Sequence, residues 1–244
     1  MGRTFENRKH AMAKRGARDA KAFTKAGRAI SMAVKAGGPD VDHNAALRRA
    51  VQNARAVSMP KDRIQAAIEK ASGLGDSEDY QTVIYEGYGP HGVAIMVDAA
   101  TDNVTRTVAN VRSAFNKGGG TFGNSGSVQF MFDLFGVFRL KAEGLDREEL
   151  ELEMIDHGLE ELLEGVSEDD EPQLVLRCSR EEFGNLQSGL EAKGIEPTSS
   201  GFEWVPKNTN VLKGEEAEAV IALLERLEDD DDVQATFSTL EIED

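Results

Sequence analysis

The residues of this chain most able to do chemistry are cations. From Lys14 onward, basic side chains fall at Lys14, Arg18, Lys21, Lys25, Arg28 and Lys35, spacings of four, three, four, three and seven. That rhythm places them along one face of a helix, broken only by Met32. Gly16, Ala20, Phe23, Gly27, Ile30 and Val34 repeat two positions out of step, about 200° away at roughly 100° per residue, so one face packs and the other is presented. A merely solvated face usually mixes both signs, whereas a stripe of one sign suits phosphate neutralisation. Arg8, Lys9 and Arg15 extend the same basic segment towards the N-terminus.

The stripe needs a scaffold. GGPD (37–40) ends the first helix, and Asp42 is the expected N-cap of a second, with Leu47, Val51 and Ala54 inward and Arg48, Arg49 and Arg55 outward. Pro60 suits the first turn of a third helix, which packs Ile64, Ile68 and Ala71 and turns Lys61 and Arg63 outward. Three short amphipathic helices make a small bundle, expected over residues 1–75.

Charge divides the chain in the same place. The net charge is −16, yet residues 1–70 hold 16 Lys and Arg against 6 Asp and Glu, a net of +10, while residues 71–244 hold 12 against 38, a net of −26. An asymmetry of this size marks the basic part for a nucleic acid or another acidic surface.

Elsewhere the chemistry-bearing types are scattered. The four histidines, at 10, 43, 91 and 157, have no metal spacing and no cysteine beside them. No nucleophile elbow, zinc-protease helix or Cys/His pair occurs, so an enzyme is not expected, nor a cofactor or a small-molecule substrate. YEGYGPHG (85–92) lacks the Lys-Ser/Thr tail of a phosphate loop and precedes a strand, which makes it a hairpin turn. GGGTFGNSG (118–126) reads as a flexible connection, and the acidic runs at 167–171 and 228–232 as solvated turns. Cys178 is single and sits in an alternating apolar run, so a buried, inert thiol in a reducing cytoplasm is expected. No apolar run approaches the roughly 20 residues needed to span a bilayer.

After a linker at 72–79, strand patterns appear at 82–88 and 93–99, then a helix from Asn103 to Lys117 capped by Asp102 or Asn103, and one long or two short strands over 127–140. A helix near 146–157, strands near 160–165 and 173–178, a helix at 180–193 and a strand near 199–205 repeat a ferredoxin-like alternation. Glu215–Leu227 is a periodic helix and 233–242 an alternating strand. The expected class is α+β: an N-terminal three-helix domain plus two ferredoxin-like α+β domains, one formed by 80–135 with 207–244 and the other, 136–206, inserted in it.

RDAKAFTKAGRAI (18–30), NAALRRAVQNARAVSMPKDRIQAAIEKASG (44–73) and YEGYGPHGVAIMVDAATDNVTRTVANVRSAFNKGGGTFGNSGSVQFMF (85–132), with the closing helix and strand, resemble the YebC/PmpR family of transcriptional regulatory proteins. That family also contains a mitochondrial translational activator. The strings MPKD, YEGYGP, TDN and GSV in this order carry the likeness across essentially the whole chain. Many members begin GHSKW with an NIKHRK-like run; this chain begins GRTFENRKHAMAK, keeping a basic start with one aromatic. The resemblance implies a cytoplasmic, non-enzymatic, three-domain protein that binds DNA in some members and acts on the ribosome in others. Phosphate contacts alone carry little sequence information, so DNA and ribosomal RNA both stay open as partners. A scaffold whose acidic face binds a basic partner is a third possibility.

Overall fold

The computed structural model describes residues 2–73, 79–167 and 171–243, with side chains from residue 20 onward. Its contacts divide into two compact units: Met1–Gln81 with Ala100–Asp102, and Thr82–Ala99 with Asn103–Asp244.

The first unit is helical. α1 (Gly2–Gly37), α2 (Ala45–Ala56) and α3 (Lys61–Ser72) enclose a core of Ile30, Val34, Leu47, Val51, Met59, Ile64 and Ile68, with Phe23 packed at its edge. α1 stops at Gly37 because Gly38 adopts φ +86°, which glycine enters without penalty. The N-cap of α2 is Asn44 and not the expected Asp42. Its Oδ1 accepts from the Leu47 N–H at 3.0 Å, while Nδ2 donates to the carbonyls of Ala33 at 2.7 Å and Gly38 at 2.8 Å. One buried amide therefore closes α1 and opens α2, which a carboxylate cannot do because it has no donor.

The second unit is mixed helix and sheet. β1 (Gln81–Tyr88), β2 (Ala94–Thr101), β3 (Thr121–Phe122) and β9 (Val233–Ser238) form one sheet in the order β3-β1-β2-β9, with α4 (Val104–Lys117) and α7 (Gly214–Glu228) packed on it through Val111, Phe115, Val220 and Leu223. β4 (Phe132–Lys141), β5 (Leu159–Val166), β6 (Pro172–Cys178) and β7 (Ser199–Pro206) form the second, antiparallel, in the ferredoxin-like order β5-β6-β4-β7. α5 (Arg147–Ile155) and α6 (Phe183–Ala192) cover one face of it, around Phe138, Leu140, Met154, Leu176, Leu186 and Leu190. Cys178 lies in that core, its thiol pushed up to about 12 by burial, and so stays protonated.

Three elements differ from the sequence reading. The pattern over 127–140 is a single-turn 3-10 helix at 129–131 followed by one strand, and that strand enters the second sheet whole. The third strand of the first sheet is instead the two-residue β3 inside the glycine-rich connection. The closing strand splits at Thr239, whose buried hydroxyl accepts from the Ala94 N–H at 2.9 Å while its carbonyl accepts from the Asn210 N–H at 2.6 Å. That residue hands the chain from β2 to a parallel pair of β10 (Leu240–Ile242) with β8 (Asn210–Leu212).

The two sheets meet in a third core, where Ala94 and Met96 of β2 pack against Val128, Phe132 and Trp204. Among the described residues no helix is long and apolar enough to cross a membrane.

Candidate nucleic-acid interface

α1 carries the first part of the basic stripe on its backbone, but the side chains of Arg8, Lys9, Lys14, Arg15 and Arg18 lie outside the described residues. Of the rest, Lys21 and Lys25 are half-buried and Lys35 is ion-paired with Asp79 at 3.0 Å.

Arg28 corrects the expectation of a uniformly presented face. It is 8% exposed, its Nη1 donates to the Ala100 carbonyl at 2.7 Å, and its guanidinium lies 4.7 Å from the centroid of the Tyr80 ring. A guanidinium with a carbonyl partner and an aromatic face satisfies its charge within the fold, leaving little to offer a phosphate.

The outward cations that the sequence placed on the second and third helices stand as expected. Arg48 and Arg55 are exposed seven residues apart on α2, hence about 10 Å apart along its axis. Lys61 and Arg63 are exposed in the first turn of α3, with Arg63 5.6 Å from the centre of the Phe23 ring. Among the described residues none of these four has an ion-pair partner. Arg49, expected outward with them, is half-buried, and burial lowers its guanidinium below the ordinary value.

The amides near these cations are otherwise engaged. Asn44 is buried as a cap, Gln52 and Asn53 are half-buried, and Gln65 donates to Glu69 at 2.9 Å. Bidentate reading of a base edge asks for a projecting Asn, Gln or Arg fork, and here the projecting groups are chiefly positive.

In the second unit, Arg106 is committed to Asp232. Its Nη2 donates at 2.7 Å to a carboxylate that also accepts from the Thr107 hydroxyl at 2.6 Å. Asn103, one of the two expected caps of α4, accepts from the Arg106 N–H at 3.0 Å. Arg112 is exposed, 5.1 Å from the centre of the Phe122 ring. Among the described residues no group of three or more His, Cys, Asp or Glu side chains is placed to hold a metal ion.

Sequence reasoning missed the groups that hold this surface in place, Asn44, Asp79 and Tyr80. The only local signal was an Asn three residues before Leu47, the spacing of an N-cap.

Comparison with known proteins agrees with this division. Residues 3–74 match the model of the TACO1/YebC protein N-terminal domain, and residues 80–240 match that of the TACO1/YebC second and third domain. A protein of Myxococcus xanthus named "Probable transcriptional regulatory protein" is 53% identical over 98% of this chain and 100% of its own length. One of Flavobacterium psychrophilum with the same description is 47% identical over 99% of this chain and 100% of its own. The crystal structure of a conserved hypothetical protein from Aquifex aeolicus superposes with a TM-score of 0.81 at 37% identity, covering 92% of this chain and 91% of that one. By sequence along its whole length, and by fold, this chain belongs to the TACO1/YebC family.

Proposed function

We propose that this protein is a transcriptional regulator that binds DNA through the cations of its N-terminal helical unit, with the acidic second unit turned away from the polyanion. The observation that carries the reading is the exposure of Arg48, Arg55, Lys61 and Arg63 with no ion-pair partner among the described residues, on a segment of net charge +10. Lys21 and Lys25, with Arg8, Lys9, Lys14, Arg15 and Arg18 further along α1, extend the surface; burial removes Arg28 from it. The names of the relatives support regulation as the task, and a nucleic-acid target places it in the cytoplasm.

The same reading keeps 1–75 as the gripping domain and 136–206 as a domain inserted between 80–135 and 207–244. The closure of the second sheet from β4 to β7 alone supports that division.

Ribosomal RNA is the second reading, favoured by the engaged amides of α2 and α3, because a surface of phosphate contacts follows backbone shape more than base sequence. One experiment tests both. Anisotropy titrations of the full chain with duplex DNA and with ribosomal RNA fragments over a salt series should show affinity falling steeply with salt. Cross-linking in cells then reports promoter DNA or ribosomal RNA. Binding indifferent to salt, or unchanged when Arg48 and Arg55 are both replaced by Glu, overturns the nucleic-acid reading.

A further inference from the structure

Phe130 is 68% exposed, although the residues on either side of its turn are buried. The cause is Glu86 on β1. This carboxylate is only 2% exposed, and its Oε1 accepts from the Gly126 N–H at 2.6 Å while Oε2 accepts from the N–H groups of Val128 at 2.7 Å and Gln129 at 2.9 Å. Three backbone donors on one buried anion fix the path of the chain. The 3-10 turn that follows sends Val128 and Phe132 into the core shared with Ala94 and Met96, and sends Phe130 out.

Phe130 borders a groove of about 490 Å³ whose apolar lining is Phe132, Leu134 and Trp204 and whose polar atoms come from Gln129 and Asp133. An exposed aromatic on a rigid backbone beside an apolar hollow is the usual make-up of a binding hot spot, because little conformational freedom is left to lose on docking.

Charge selects the occupant. Residues 71–244 carry 12 Lys and Arg against 38 Asp and Glu. A nucleic acid is repelled by such a surface, and a second copy brings the same charge to it. A basic protein segment is attracted, and one apolar side chain within it gives the groove something to bury. We propose that the Phe130–Trp204 groove docks a Lys- and Arg-rich segment of a protein partner, one apolar residue of which fills the groove while its cations face the acidic surface around it. The inference goes beyond the reading of the helical unit and does not depend on it.

Trp204 is the chain's one tryptophan, so its emission reports the groove directly. The full chain is titrated with a short, tryptophan-free Lys/Arg peptide carrying one central Phe, and with the same peptide carrying Gly there. The Phe peptide is expected to shift Trp204 emission and saturate, the Gly peptide to bind at least tenfold more weakly, and Phe130→Ala to weaken the Phe peptide at least tenfold with an unchanged far-UV spectrum. Phe130→Ser, which also lies on an exposed position, should repeat the loss. Equal binding of the two peptides, unaltered binding to both variants, or no shift with any peptide overturns the proposal. A Phe130-dependent shift produced by single-stranded RNA, or by raising the protein concentration alone, overturns it equally, in favour of base stacking or of self-association.

Discussion

The indole N–H of Trp204 donates to the carboxylate of Asp98 across 3.2 Å, joining β7 of the second sheet to β2 of the first. Burial pushes the Asp98 carboxyl up to about 6, against the opposing effect of the Trp204 hydrogen bond. Because the folded value lies above the ordinary 3.8, the folded protein holds the extra proton between those two pH values. The stability contributed by this group is therefore complete below about pH 4 and lost as pH rises through about 6.

Asp98→Asn keeps an oxygen acceptor for Trp204 and removes the buried charge. At pH 8 it should raise stability by on the order of 2 kcal/mol, less than the full shift implies because the residue is partly exposed. The gain should close as pH falls through 6. Thermal melts of both proteins between pH 4.5 and 8 check this; a gap that stays constant with pH contradicts it.

Glu86→Gln places an amide NH₂ against backbone donors and leaves at least one of three buried N–H groups without an acceptor. A loss of about 2 kcal/mol is expected. Amide exchange of Gly126, Val128 and Gln129 should quicken well before the rest of the second unit, and uniform exchange there would show that Glu86 does not fix this segment.

Arg28→Ala separates structure from binding. Removing a buried guanidinium from the Ala100 carbonyl and the Tyr80 ring should cost about 2 kcal/mol of stability. Below the melting point of the variant, the salt dependence of nucleic-acid affinity should match that of the unsubstituted chain. A shallower dependence would return Arg28 to the phosphate surface.

Arg48→Ala and Arg55→Ala predict the reverse. Each removes one exposed cation from α2 without disturbing Leu47, Val51 or Ala54, so stability should change by less than about 0.5 kcal/mol. On duplex DNA each should reduce the slope of log affinity against log salt by about 0.9. Unchanged slopes for both would move the binding surface elsewhere.

The elements were largely legible because amphipathic periodicity is local: the helix at 104–117 and the strands at 81–88 and 94–101 follow their patterns to within two residues. β3 and β8 were not, since strands of two and three residues have no period to read. The cationic face was legible only in direction. Spacing shows that Arg28 shares a side of α1 with Lys21 and Lys25, but not that a carbonyl 72 residues away waits there. Likewise, the run around Phe130 reads as strand because nothing near it announces that Glu86, far back in the chain, has claimed its N–H groups.

Phe132 and Pro206 sit opposite one another on β4 and β7, so the chain leaves for the second sheet and returns from it on a single rung. In kinetic terms this shortens a long search. Until β4 and β7 pair, β9 must find β2 across more than half the chain, with the closure entropy of a long loop. Once they have paired, the excursion counts as a short link, and the remaining connection is local in effect. The second sheet is thus expected to form first, with the first sheet waiting on it for its last helix and strand.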